Sequence, residues 1–126
     1  MKKSILLFLV FLGSFSAGFA QQQPFEEEVR RLTNRLDSVG WKPGGIVFTG
    51  SSTIRMWRSL SEISLGQEVL NTGFGGSKAS DLERYLYPLV LKFDPKQVFI
   101  YEGDNDLWAD VVPEEILASL DRIITR

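Results

Sequence analysis

Ile46-Val47-Phe48-Thr49-Gly50-Ser51-Ser52-Thr53-Ile54-Arg55-Met56-Trp57 decides the fold. Ile46 to Thr49 are apolar or β-branched and favour a short buried strand. Gly50 tolerates a sharp backbone turn, and the pattern then changes to that of a helix. Ser52 falls at the break, where unpaired backbone N–H groups favour negative charge. An acyl-transfer enzyme needs its nucleophile in such a place, because the tetrahedral oxyanion requires prealigned donors. Serine is also among the best N-cap residues, so this stretch taken alone reads first as a cap. The residues around it decide between the two.

Upstream, Pro24 to Val39 reads as an amphipathic helix. Phe25, Val29, Leu32, Leu36 and Val39 share one face, and Glu26–Arg30 and Glu27–Arg31 form i,i+4 pairs on the other. Gly40 suits its C-terminus. Downstream, a helix is expected from Thr53 to Leu60 with Ile54 and Trp57 inward and Arg55 on the surface or on a local carboxylate. Glu68 to Asn71 is a second strand, followed by the glycine loop Thr72-Gly73-Phe74-Gly75-Gly76-Ser77. Ser80 and Glu83 have capping-box spacing for the next helix, which carries Leu82, Leu86, Leu89 and Phe93 inward. Pro88 kinks or ends it. Gln97 to Tyr101 is a third strand, ending in the loop Glu102-Gly103-Asp104-Asn105-Asp106. Pro113-Glu114-Glu115 opens a last helix with Ile116, Leu120 and Ile123 inward and Leu117 and Ile124 beside them. One helix followed by strand–helix three times over is the pattern of an α/β fold with a parallel sheet.

Composition narrows the chemistry. The chain has 126 residues, 44% of them hydrophobic, a net charge of −2, no cysteine and no histidine. A single globular domain is the most such a length supports. A disulfide framework and a thiolate metal site are excluded, and the commonest zinc ligand and imidazole base are missing. No basic block argues for nucleic acid. Residues 1–20 read as a signal peptide: Lys2 and Lys3, the apolar run Ile5 to Leu12, then small residues up to Ala20. The run is too short for a spanning helix. Residues 21–126 are the domain, which is expected outside the cytoplasm, secreted or periplasmic, with no stable membrane span after cleavage.

All three glycine-rich or polar loops follow a strand. A parallel sheet gathers them at the carboxyl ends of its strands, where open α/β sheets bind ligands. Ser52, Gly75-Gly76 and Asn105 therefore become neighbours, each suited to one part of an acyl-transfer site: a nucleophile, a backbone N–H that no Cβ obstructs, and an amide donor.

On these blocks the sequence resembles the SGNH (GDSL) hydrolases. Phe48-Thr49-Gly50-Ser51-Ser52 is similar to the family's strand leading into Gly-Asp-Ser, with Ser51 in place of the aspartate. Asn71-Thr72-Gly73-Phe74-Gly75-Gly76 resembles Asn-x-Gly-x-Gly-Gly, and Gly103-Asp104-Asn105-Asp106 resembles Gly-x-Asn-Asp. The resemblance covers Ile46 to Leu107. It implies a flavodoxin-like three-layer fold with strand order 2-1-3, Ser52 as nucleophile, and an oxyanion hole made by the Ser52 and Gly76 N–H groups and the Asn105 side chain. It implies an ester of a glycan or lipid as substrate and no cofactor. The family's Asp-x-x-His, which supplies base and orienting acid, has no counterpart in this sequence. The expectation that follows is an N-terminal piece truncated after about three strands; the alternative is a catalytically dead carbohydrate- or lipid-binding module.

Other chemistries fit less well. Lys78 stands where G-x-G-x-x-G needs its third glycine, and no Gly-Lys pair makes a P-loop. Asp104 and Asp106 do not follow a calcium-loop plan and read as loop and cap residues. Lys78 has no burial signal that would make it a base. The signal peptide is directly testable: mass spectrometry of exported protein should find an N-terminus near Gln21, and an intact Met1 would remove that reading.

Overall fold

A computed structural model describes residues 23–63 and 66–126. The expected signal peptide, residues 1–20, lies outside the described residues. Among the described residues no helix is long and apolar enough to cross a membrane.

The order of elements is α1 (Glu26–Val39), β1 (Ile46–Gly50), α2 (Ser52–Arg55), a 3₁₀ turn (Arg58–Glu62), β2 (Val69–Asn71), α3 (Ala79–Arg84), α4 (Leu86–Leu89), a second 3₁₀ turn (Leu91–Phe93), β3 (Gln97–Tyr101), α5 (Asp104–Trp108) and α6 (Pro113–Ile124). The three strands form a parallel sheet in the order β2-β1-β3. Ile46 pairs with Val69 and Gln97, so the apolar strand read from the sequence lies in the middle. This is the mixed α/β arrangement and strand order expected, and it is consistent with a flavodoxin-like fold.

Side-chain alternation splits the core in two. Val47 and Leu70 face a large cluster with Val29 and Leu32 of α1, Leu82 of α3, Leu86 and Leu89 of α4, Phe93, and Ile123 of α6. Ile46 and Phe48 face a smaller one with Ile54 and Leu60. On that second face Phe48 stacks on Phe99 with ring centroids 4.5 Å apart. Phe99, Val98 and Tyr101 of the edge strand β3 are nonetheless exposed.

Several local expectations are corrected. The helix expected over Thr53 to Leu60 is a single turn, α2, followed by a 3₁₀ turn. Trp57 between them is 42% exposed rather than inward, its ring meeting Phe48 edge-on. Val39, Leu117 and Ile124 are also exposed, because each lies at the rim of its helix's apolar stripe. Glu27, not Glu26, takes Arg30, at 2.7 Å. The Ser80–Glu83 box is displaced by two residues: α3 starts at Ala79, and Asp81 accepts the Lys78 N–H at 3.0 Å. Lysine has no acceptor to return that bond, so the box is one-sided.

Leu82, Leu86, Leu89 and Phe93 are all buried as the period requires, but the helix that carries them is broken at Tyr85. The physical reason is Pro88. Its ring crowds the carbonyl four residues earlier, that of Arg84, and it offers no N–H to it. The segment Asp104 to Asp106, expected as loop, starts the short helix α5.

The junction after β1 depends on one glycine. Gly50 has φ 124°, and a Cβ there would lie 2.0 Å from the Tyr101 carbonyl oxygen. Gly50→Ala should therefore lower stability by at least about 2 kcal/mol, from backbone strain and overpacking together. Urea unfolding checks this; an unchanged midpoint would mean that β1 and β3 do not meet in this way.

Candidate active site

The carboxyl end of β1 is held from both sides. The Phe74 N–H donates to the Gly50 carbonyl at 2.9 Å, and the Ser51 N–H donates to the Tyr101 carbonyl at 3.0 Å. The loop after β2 and the loop after β3 are thereby brought to the residues preceding Ser52. The Ser51 side chain is buried, and its hydroxyl lies 3.4 Å from an Asp104 carboxylate oxygen. Ser52 and Asn105 directly follow the two residues of that contact.

Ser52 is half-buried and is the first residue of α2. Among the described residues its hydroxyl bonds no backbone N–H of the helix, and Ser51, at the cap position, makes no side-chain cap bond either. Ile54 and Arg55 N–H instead donate to the Ser51 carbonyl, at 3.1 and 3.2 Å. The Ser52 N–H takes no part in this turn and meets no acceptor among the described residues. With four residues, α2 has little macrodipole, so these first N–H groups are its electrostatic contribution.

The glycine loop is fitted between α1 and α2. Asn71 Nδ2 donates to the Ile54 carbonyl at 2.7 Å, and its Oδ1 accepts the Gly73 N–H at 3.0 Å. The Gly75 N–H donates to Glu28 Oε1 at 2.9 Å, and that same oxygen takes Arg55 at 3.0 Å. This is the local carboxylate expected for Arg55.

Gly76 differs from the glycines before it. A Cβ at Gly73 would lie 2.4 Å from the Arg55 nitrogen and one at Gly75 would lie 2.3 Å from the Phe25 ring, but one at Gly76 meets nothing closer than Asn105 Oδ1, at 3.8 Å. Packing within the chain therefore does not require glycine at 76. Gly76 is exposed, and its N–H has no acceptor among the described residues. Gly76 and Asn105 together line an open cleft of about 290 Å³ that also includes Phe25, Lys78 and Trp108. Ser52 is not among its lining residues.

Asn105 is positioned from behind. Its Nδ2 donates to the Ser77 carbonyl at 2.9 Å, which leaves the second amide hydrogen unspent. The Ser77 hydroxyl donates to Glu102 Oε1 at 2.7 Å. Asp106 is 2% exposed, and both its oxygens accept the Ala79 N–H, at 3.2 and 3.0 Å, so it caps α3 from another element. That is the cap role expected of it, although the helix served is not its own.

Glu102 was not singled out by the sequence, where it is one acid among several beside Gly103. Its position at the end of β3, inside the ring of loops, is the available signal. Its Oε2 is buried with no partner among the described residues. Burial pushes its pKa up from the ordinary 4.5 to about 8; the Ser77 hydroxyl opposes this, and Asp106, Asp104 and Asp81 add to it. Glu102 is therefore a protonated, neutral acid at pH 7.

No protein-family model and no curated protein sequence matches the chain. Among solved structures it is similar to one described as "a putative platelet activating factor from Streptococcus pneumonia", at 22% sequence identity and a TM-score of 0.67. The match covers 79% of this chain and 46% of that one, so the chain spans about half the length of the structure it resembles. At that identity the likeness is one of fold.

The Glu102 shift gives a pH dependence with a definite sign. An acid whose folded pKa is raised binds more protons folded than unfolded between the two values, so stability falls as pH rises through that window. Its contribution should be undiminished below about pH 4.5 and lost by pH 8 and above. Glu102→Gln should flatten the thermal midpoint over this range. An identical slope in wild type and variant would show that Glu102 titrates normally.

Proposed function

We propose that the chain carries the nucleophile and oxyanion-binding part of a secreted or periplasmic serine ester hydrolase of the SGNH type. The observation that carries this reading is a set of three donors, unspent among the described residues, on the two loops that flank β1 and at its own end: the Ser52 N–H, the Gly76 N–H and the second hydrogen of Asn105 Nδ2. A glycine at 76 that internal packing does not demand supports it as well, since an approaching carbonyl oxygen is what a Cβ there would obstruct. The fold likeness to a protein described as a platelet activating factor adds to the case for an ester hydrolase.

In this reading the Ser52 hydroxyl attacks the carbonyl carbon of an acyl ester of a glycan or lipid. The carbonyl oxygen becomes an oxyanion held by the three donors, and the alcohol leaves as the acyl-enzyme forms. The Ser52 proton needs an acceptor. The sequence has no histidine; Glu102, at the end of β3, is neutral at pH 7 and already engaged with Ser77, and Asp104 lies against the Ser51 hydroxyl, not that of Ser52. The base is therefore proposed to come from an Asp-x-x-His segment in chain beyond residue 126. The missing histidine also favours a second reading, a non-catalytic module that binds a carbohydrate or lipid with the same loops.

Hydrolysis of p-nitrophenyl acetate separates the two. This chain by itself should not exceed its Ser52→Ala control. A polypeptide that continues into an Asp-x-x-His segment should be active, and Ser52→Ala should then cost about 10⁴- to 10⁶-fold in kcat. Asn105→Ala should cost about 10²- to 10³-fold with little change in KM, as removal of an oxyanion donor does. An active long form indifferent to Ser52 would overturn the hydrolase assignment, and an inert long form would favour the binding module.

A further inference from the structure

A second feature of the molecule is a cleft between α1 and the segment after β1. It has a volume of about 450 Å³ beside Arg31, Arg35 and Arg55, and a smaller arm of about 150 Å³ adjoins it, sharing Arg35, Arg55 and Gly73 as lining and adding Arg58 and Trp57. Four arginines thus line two adjoining hollows that share Arg35, Arg55 and Gly73, in a chain whose net charge is −2. The one carboxylate on its wall among the described residues is Glu28, which is already spent on Arg55 and the Gly75 N–H. Arg31 lies 3.5 Å from Glu27, which is itself engaged at 2.7 Å by Arg30. Arg35 and Arg58 form no ion pair among the described residues.

Folding alone does not account for this crowd. Arg31 and Arg35 are an i,i+4 pair on α1, and like charges at that spacing destabilise a helix. Both are exposed, so neither is needed to fill the core; the buried Leu32 between them does that. A concave wall of one sign focuses potential and concentrates counter-ions. Guanidinium forks match the geometry of phosphate oxygens and bind them in pairs. The space is several times larger than a phosphate, and the exposed indole of Trp57 gives its arm a flat apolar surface for carbon.

We propose that this cleft is a binding site for an organic phosphate, with Arg31, Arg35 and Arg58 holding the phosphate oxygens and Trp57 lying against the carbon body. Arg55 is held by Glu28 and forms the wall between the two arms. The cleft shares α2 with Ser52 and the glycine loop with Gly76, but neither residue lines it. Its occupancy therefore does not depend on the hydrolase reading.

The test is a titration of the full chain with sodium phosphate, followed by ¹H–¹⁵N correlation spectra at constant ionic strength held with chloride. Saturable shifts are expected at the Gly73 amide and the Trp57 indole N–H. Arg35→Ala and Arg58→Ala each remove one charged hydrogen-bonding group and should weaken binding about 10-fold or more. Both side chains are exposed and unpaired among the described residues, and circular dichroism checks that the variants fold. Arg58→Gln, which keeps most of the side-chain length, should weaken binding as Arg58→Ala does if charge is what matters. Glycerol 3-phosphate and phosphatidylcholine vesicles containing phosphatidic acid then distinguish a soluble ligand from a lipid headgroup, and binding of either supports the proposal. Shifts that stay linear and match those caused by added chloride would overturn it, as would affinities unchanged in all the variants.

Discussion

The structure depends on the close approach of β1 and β3 at Gly50. There the two backbones meet with no room for a side chain: the Tyr101 carbonyl occupies the place of a Cβ. This approach allows the Ser51 N–H to reach the same carbonyl, while the Gly50 carbonyl is taken by Phe74 from the other side. One residue thereby joins the ends of three strands. Ser52 emerges from that junction as the next residue free to turn outward, and α2 begins there because the ladder has ended.

A second constraint runs behind the junction. Glu102, Ser77 and Asn105 are connected in series by hydrogen bonds of 2.7 and 2.9 Å. Asp106 fixes the start of α3 to the start of α5. Loops joined in this way give up little freedom when a ligand arrives, which is what an oxyanion site needs. The cost is a buried carboxyl kept neutral by its surroundings, with one oxygen unpartnered. The two faces of the sheet are unequally covered as well. Four helices close the side of Val47, whereas α2 and a 3₁₀ turn leave Phe99 and Tyr101 in contact with water on the other.

Ile46 to Thr49, the three glycine-bearing loops and the proline-led last helix were sufficient to determine an α/β chain with a parallel sheet, because β-branching, glycine turns and helix-start chemistry act locally. The Gly-Ser-Ser, Asn-x-Gly-x-Gly-Gly and Gly-x-Asn-Asp blocks named Ser52, Gly76 and Asn105 as the candidates, and the order 2-1-3 with them. The periodicity of Leu82, Leu86, Leu89 and Phe93 identified a buried face, and Pro88 a break in the helix that carries it, without showing that the break falls at Tyr85. What only the tertiary structure decided depends on residues far apart in sequence. Glu102 acquires its neutral state from burial and from Asp106, Asp104 and Asp81, which no local pattern reports. The four arginines come from α1, α2 and the turn after it, and read along the chain they are ordinary solvated charges. Trp57 looked like core because its spacing is helical, but the helix stops before it. Spacing reports which residues can share a face; only the packed chain decides whether that face meets another element or water.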